Sequence, residues 1–467
     1  MAVEWSDSGP ELLVQLDRGR PLRAQLEAQL RESIRSGRLA AGERLPSTRT
    51  LARDLGLSRG LVQEAYEQLQ AEGYLTSRTG SATRVAALPE VRTAAPRPHR
   101  QEQPRPWVAD FQSGVPDLGL APREDWVWAV REACRTLPDL AFHYGDARGV
   151  VETRAVLAAY LGRVRAVDAD ADRIVFCSGF GQGLAITLRA LARRGLTTVA
   201  CEDPGSIGRI TAAARAAGGE LVPIRVDEQG IDVDALAASD AQVVVVTPAH
   251  QWPTGVVLSP ERRHRLLAWA AQCDGFVIED DYDAEFRYDR DPVGSIQGLD
   301  PDRVVSLGTV SKSLAPALRL GWAVVPAALV DDVAEEKHLA DRGSSGIDQA
   351  ALGSLVESGR YDRHLRRMRA EYAKRREALV GALASHAPGI RLTGLAAGFH
   401  AVAHLPPGAD ERHVVDQARG RGVGLRGMSV YRSDHATTPP QLVVGFGNTS
   451  VREIEAGIAA VADLLAP

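Results

Sequence analysis

The sequence predicts an α/β protein with a helical head: an N-terminal winged helix-turn-helix, then a large domain on a mainly parallel seven-stranded sheet. Three observations predict it. From residue 107 onward, apolar runs at 173–177, 198–202, 221–226, 242–247, 276–280, 304–307 and 321–325 alternate with helical patterns. That alternation marks a parallel sheet wrapped by helices. Residues 15–86 carry three short amphipathic helices and then an alternating stretch. Between the two, residues 87–106 hold five prolines and four arginines with almost no apolar residues, a semi-stiff tether. The expected division is 15–86, 87–106 and 107–467.

The totals agree. At 467 residues the chain exceeds one compact core. Its 45% hydrophobic and 25% charged content are those of a globular protein, and no apolar run approaches a membrane span. The N-terminus lacks a basic-then-apolar signal region. Cys134, Cys177, Cys201 and Cys273 are scattered without paired spacing, which argues for a reduced, cytoplasmic setting and against a metal site. A net charge of −5 gives no global nucleic-acid signal, so any such signal is local.

In the head, Leu22, Leu26, Leu30 and Ile34 repeat every four residues, ending near Gly37. Ser47 is placed to cap a brief helix that Gly56 stops. Ser58 is placed to cap a third helix with Leu61, Val62, Ala65, Tyr66 and Leu69 inward. Helix, short turn, helix is a unit whose second helix enters the DNA major groove. Residues 74–85 alternate and turn at Gly80, as a two-stranded wing would. Arg44, Arg49, Arg53, Arg59, Arg78 and Arg84 fall where a duplex needs cations. A helical interaction module with solvated arginines is the competing reading of those charges.

In the large domain, ligands bind beyond the carboxyl ends of the strands, so the residues after each run are informative. After the run at 304–307 come Thr309, Ser311, Lys312 and, seven positions later, Arg319. A primary amine beside hydroxyls and a guanidinium suits a phosphorylated aldehyde: the amine forms a Schiff base, and the others neutralise phosphate. The chain has only three lysines among 55 basic residues, so Lys312 stands where arginine would not serve. Lys337, after Glu335 and Glu336, and Lys374, among arginines, read as solvated surface charge. Ser178-Gly179-Phe180-Gly181 leads glycines into a helix start, whose N–H groups hold phosphate. Glu279-Asp280-Asp281-Tyr282-Asp283 ends another run. There Asp280 can face a pyridine nitrogen and Tyr282 a ring 3-oxygen. No metal is expected, because no further ligand falls at the right spacing.

The head resembles the winged-helix domain of GntR-type regulators through Gly42-Glu43-Arg44-Leu45-Pro46-Ser47-Thr48-Arg49, Leu57-Ser58-Arg59, Ala65-Tyr66-Glu67-Gln68-Leu69 and Glu72-Gly73-Tyr74-Leu75. That resemblance implies DNA contacts from Arg49, Arg59, Gln63 and the wing tip Thr79–Gly80, with Arg44 beside them. Gly60 and Leu61 stand where the family usually has polar residues. Over 110–465 the chain resembles fold-type-I aminotransferases. As a whole it resembles MocR-type regulators, through Tyr144-Gly145-Asp146, residues 247–255 (Thr-Pro-Ala-His-Gln-Trp-Pro-Thr-Gly), residues 279–286 and the Lys312 loop.

The resemblance implies a fold with a smaller C-terminal α+β subdomain and pyridoxal 5′-phosphate as cofactor. Lys312 would hold the aldehyde, Asp280 the ring nitrogen and Tyr282 the 3-oxygen. Thr309, Ser311, Arg319 and the Phe180–Gly181 turn would take the phosphate. Tyr144 would reach across the interface of a head-to-tail, domain-swapped homodimer. The implied partners are a double-stranded DNA operator and an effector, either pyridoxal phosphate or a small amine. Three departures stand out: Ser206 replaces a ring-stacking tyrosine, Gly181 replaces a glutamine, and Val443 replaces a substrate-carboxylate arginine. Arg426 is the alternative anchor for an effector carboxylate. Three functions stay open: a sensor-regulator, a working aminotransferase with a DNA-binding head, and a cofactor-free scaffold.

Overall fold

A computed structural model describes residues 14–77, 82–87, 107–168, 170–283, 285–288 and 293–465. The expected wing tip Thr79–Gly80, and nearly all of the expected tether, lie outside the described residues. The chain divides into two compact units, Met1–Gln103 and Pro104–Pro467.

The first unit packs α1 (Leu22–Arg35), α2 (Thr48–Leu55) and α3 (Arg59–Ala71) around one core. Leu26, Leu30, Leu51, Val62, Ala65 and Leu69 are fully buried or nearly so. Burial of each large side chain contributes about 1.5–3 kcal/mol. Ser47 and Ser58 cap as expected: their hydroxyls accept the N–H of Thr50 at 3.1 Å and of Leu61 at 3.2 Å. Gly56 ends α2 in the left-handed region, where φ of 61° favours glycine. The wing pairs β1 (Leu75–Thr76) antiparallel to β2 (Arg84–Val85), with Leu75 opposite Val85. Both of these side chains seal the core.

The second unit carries an eight-stranded sheet. Its strands are β4 (Ile174–Cys177), β5 (Thr198–Asp203), β6 (Glu220–Asp227), β7 (Gly230–Ile231), β8 (Val243–Val246), β9 (Phe276–Asp281), β10 (Val304–Thr309) and β11 (Gly321–Val324). The order is β4-β11-β10-β9-β8-β5-β6-β7. Strands β10, β9, β8, β5 and β6 run parallel, while β11 lies antiparallel between β10 and β4. The seven apolar runs are the seven long strands. The eighth, β7, is a two-residue hairpin return against β6, too short to leave a periodic signal. Strands β4 and β8 are buried at every residue, as helices on both faces require.

A short parallel pair joins β3 (Ala109–Asp110) to β14 (Val423–Gly424). The expected C-terminal α+β region holds a second sheet in the order β12 (Arg391–Thr393), β13 (His400–His404), β16 (Gln441–Gly445), β15 (Arg426–Gly427). The 27-residue helix Arg360–His386 precedes it.

One expectation fails here. Lys337 is not solvated: its side chain is fully buried, and its ammonium donates to Gln182 Oε1 at 3.0 Å, Asp341 Oδ2 at 2.7 Å and Ser344 Oγ at 2.8 Å. A buried ammonium persists when each of its donors finds an acceptor.

Candidate functional site

The carboxyl ends of β4, β5, β8, β9 and β10 open on one side of the large sheet, and the expected residues gather there. Strand β4 runs into Gly179, which precedes the helix Phe180–Arg193. Gly179 has φ of 90°, a conformation that costs any other residue. A Cβ built on it would lie 3.4 Å from Thr309 Oγ1, 3.8 Å from Ser311 Oγ and 3.8 Å from Arg319 Nη1. Two hydroxyls and a guanidinium thus converge on one bare backbone turn. The Phe180 and Gly181 N–H groups belong to the first helical turn, which has no internal acceptors for them. Such a cradle is of the kind that can take a phosphate at a helix start. Within it, Ser311 N–H donates to Thr309 Oγ1 at 3.1 Å, and the two hydroxyl oxygens lie 2.8 Å apart.

Beside the cradle, Asp280 stands one residue before the end of β9. Its Oδ1 is buried and has no hydrogen-bond partner among the described residues. Burial pushes its pKa well above the usual carboxylate range; Arg209 and Lys312 pull it back, while Asp281 and Asp283 add to the rise. Native proteins rarely leave a buried carboxylate oxygen unpaired, and a protonated ring nitrogen is a fitting donor. The neighbouring Asp281 turns elsewhere, into a bidentate pair with Arg165 at 2.7 and 2.9 Å.

Lys312 follows β10. Burial lowers its pKa, with Asp280 opposing, so its neutral, nucleophilic form is reached at lower pH than in a solvated lysine. Its Nζ donates to the Gly114 carbonyl. Trp252 closes this end, since a Cβ on Gly114 would stand 3.4 Å from Trp252 Cη2 and 3.9 Å from Lys312 Nζ. Phe180, Glu202, Ser206, Thr247, Trp252 and Asp280 line one crevice. Burial lifts the Glu202 carboxyl to about 7, although it accepts from Thr247 Oγ1 at 2.6 Å. Orphaned acid, amine and bare cradle together fit a phosphorylated pyridine aldehyde.

Tyr282 follows on the same strand end, with its hydroxyl on His250 rather than in solvent. It donates to the His250 carbonyl at 3.1 Å and lies 3.2 Å from His250 Nδ1. Arg426 stands directly opposite Val443 across β15 and β16 and is exposed. Cross-strand partners share a face. Val443 packs with Tyr431, whose ring meets Trp252 edge-on at 5.7 Å. Arg426 therefore belongs to the same side of the small sheet as the aromatic wall. Tyr144 is not brought to this group. It is 71% exposed on a separate cleft, with the Arg342 guanidinium 5.5 Å from its ring centre.

On the head, Arg44, Arg49, Arg59 and Gln63 are exposed. The three arginines make no ion pair among the described residues, whereas Arg53 is paired with Asp54 at 3.0 Å. Gln63 donates to Glu67 at 3.0 Å. Cations without a partner on one helix-turn-helix are what a phosphate backbone engages.

Comparisons with known proteins bear on both halves. Residues 22–85 match the family of bacterial regulatory proteins, gntR family, and residues 108–439 match aminotransferase class I and II. The probable rhizopine catabolism regulatory protein MocR of Rhizobium meliloti is 33% identical, over 96% of this chain and 94% of its own. The chain belongs to the MocR-type regulators. A second relative, the HTH-type pyridoxine biosynthesis transcriptional regulator PdxR of Corynebacterium glutamicum, is 32% identical over 94% of this chain and 95% of its own. Among solved structures, the multiple substrate aminotransferase of Thermococcus profundus superposes with a TM-score of 0.70 at 25% identity. It covers 78% of this chain and 92% of its own. The large unit of this MocR-type chain therefore has the fold-type-I aminotransferase fold.

Sequence reasoning missed Trp252 as a wall of the site, Arg209 as a charge felt by Asp280, and the Gln182–Lys337 contact behind the cradle. Trp252 lay in a quoted motif, so its position was in view. The others depend on contacts between distant segments.

Proposed function

We propose that this MocR-type chain is a DNA-binding transcription regulator whose aminotransferase-like domain binds pyridoxal 5′-phosphate and serves as a sensor. One observation carries the reading: the Asp280 oxygen without a partner among the described residues, the buried Lys312 amine and the Gly179 cradle meet at the carboxyl ends of one sheet's strands, in a chain that also carries a gntR head. When bound, the cofactor supplies an aldehyde that condenses reversibly with primary amines. Lys312 provides the amine that holds it. Asp280 would take the ring N–H, and Tyr282 would serve the 3-oxygen. Thr309, Ser311, Arg319 and the first-turn N–H groups of Phe180 and Gly181 take the phosphate.

The sensed compound is the cofactor itself or an amino compound that competes with Lys312 for the aldehyde, with Arg426 receiving a carboxylate. Signalling requires only that the two states differ in affinity for the ligand. Sensing is favoured over transamination because Val443 and Ser206 stand where the resemblance places a carboxylate-binding arginine and a stacking ring; the exposed Arg426 gives a carboxylate a looser hold, and turnover depends on orientation more than occupancy does.

In this reading 15–86 is the DNA reader, 87–106 the tether and 107–467 the sensor. The head binds duplex DNA through Arg44, Arg49, Arg59 and Gln63, and the wing tip Thr79–Gly80 adds to the contact. A head-to-tail homodimer is part of the proposal. Leu140, Phe142 and Tyr144 are 80%, 55% and 71% exposed on a cleft of about 1210 Å³, an apolar surface that a second copy would cover. Among the described residues no helix is long and apolar enough to cross a membrane, and the four cysteines are free, in keeping with work in the cytoplasm.

The test is a footprint of DNA flanking the regulator's own gene, with and without pyridoxal phosphate and a panel of amines. The reading expects a footprint that shifts with the cofactor or with one amine. Rapid keto-acid formation with no change in the footprint would make the chain an enzyme instead.

A further inference from the structure

Behind Tyr282 lies a buried group that the proposed function does not use. His250, on the loop after β8, is fully buried, and each of its ring nitrogens faces an acceptor. Nδ1 is 2.9 Å from Asp283 Oδ2, and Nε2 is 3.2 Å from the Gly394 carbonyl. An acceptor faces each nitrogen, an arrangement that suits a ring donating from both, and Asp283 and His400 lie close by. Burial works against a charge on the ring, yet the Asp283 carboxylate and the Gly394 carbonyl together raise its pKa above the ordinary imidazole range.

The four neighbours of His250 belong to different parts of the unit. Tyr282 and Asp283 follow β9 of the large sheet. Gly394 follows β12, and His400 opens β13, so both belong to the small sheet. The two parts meet without slack. A Cβ on Gly398 would fall 2.3 Å from Asp283 Oδ2, and one on Gly255 would fall 2.3 Å from Gly394 Cα. His400 packs against His250 with ring centres 4.8 Å apart. Close-packed seams of this kind transmit a shift rather than absorb it.

We infer that His250 is a positioning residue that couples the Tyr282 phenol to the small sheet, so that filling the cofactor site alters the seam at residues 394–400. The inference rests on the reading that Tyr282 faces a bound cofactor. The phenol now gives its hydrogen to the His250 carbonyl and lies 3.2 Å from Nδ1, which Asp283 also faces. A phenol that turns toward a ligand oxygen releases both contacts. His250 is then left with Asp283 and Gly394 alone, and the balance across the seam changes. Small, local exchange of hydrogen-bond partners is how a ligand biases a two-state element.

Amide hydrogen exchange on the full-length protein, with and without saturating pyridoxal phosphate, tests this while the near-visible absorbance band reports loading. In wild type, loading changes exchange over 394–400 by about tenfold, in the range of local opening equilibria. Tyr282→Phe, brought to the wild-type height of the band by added cofactor, keeps the ring and the packing but cannot exchange hydroxyl partners; at that matched loading it loses the response. His250→Phe loses it too, and the double variant loses no more than either single one. A full response in Tyr282→Phe, or additive losses in the double variant, overturns the inference while leaving the proposed function intact. Wild type that never forms the band overturns both.

Discussion

The ammonium of Lys337 lies 3.0 Å from Gln182 Oε1, and that same oxygen accepts the Ser178 N–H at 2.8 Å. A lysine on the helix Val330–Asp341 is thereby tied to the turn that carries Gly179. Replacing it with methionine takes one donor from Gln182 Oε1 and one from Asp341 Oδ2, which keep the Ser178 N–H and Gln182 Nε2 respectively. Breaking a buried pair costs about 3–5 kcal/mol, and less here because Asp341 reaches solvent. Lys337→Met should lower stability by about 2 kcal/mol and raise the Kd for pyridoxal phosphate about fivefold. Thermal melts and an absorbance titration check both values.

The cradle predicts a selective loss. Arg319→Gln removes a charged partner from the phosphate while leaving the amine and the acid in place. Charge-assisted hydrogen bonds contribute about 1.5–3 kcal/mol, so affinity for pyridoxal phosphate should fall by about 10- to 100-fold. Affinity for pyridoxal, which has no phosphate, should barely change. Parallel titrations of the two aldehydes check this, and equal losses for both would place Arg319 elsewhere.

Asp280 trades stability for binding. Its pKa is raised in the folded protein, so between the unfolded value near 3.8 and the folded value the native state holds the extra proton. Stability therefore falls as pH rises through that window, and the cost is fully present above it. Asp280→Asn should raise the Tm of the cofactor-free protein at high pH by roughly 1–2 °C, for about 1 kcal/mol. The gain should vanish as pH falls toward 3.8. The same variant should bind pyridoxal phosphate more weakly, since a neutral amide does not favour a protonated ring nitrogen. Melting curves across pH, with and without cofactor, check both signs.

The head predicts a salt signature. Arg49→Ala and Arg59→Ala should each weaken DNA binding across sequences. Each should also reduce the slope of log affinity against log salt by about 0.9, the value for one phosphate contact. Fluorescence anisotropy at several salt concentrations reads the slope directly. An unchanged slope would remove that arginine from the phosphate backbone.

Much of this was legible in the chain because local chemistry decided it. The long strands of the large sheet announce themselves as apolar runs, since both faces are covered and no polar alternation interrupts them. Ser47, Gly56 and Ser58 mark helix ends because caps are local. Lys312 stood out because arginine cannot do an amine's work. Lys337 was misread for the opposite reason: its neighbours Glu335 and Glu336 speak of solvent, while its burial is decided by Gln182, 155 positions away. His250, Asp283 and Gly394 are likewise joined only by the fold. Strand β7, two residues long, has too little sequence to carry a period.

The central claim is that Lys312 carries the cofactor and that its occupancy reaches the DNA-binding head. It is tested most directly by comparing wild type with Lys312→Ala in one experiment: the near-visible absorbance band on adding pyridoxal phosphate, and the footprint on operator DNA read beside it. The account predicts a band and a cofactor-dependent footprint in wild type, with neither the band nor the dependence in the variant. A wild-type protein that stays colourless at saturating cofactor, or a variant whose footprint responds as the wild type's does, would contradict it.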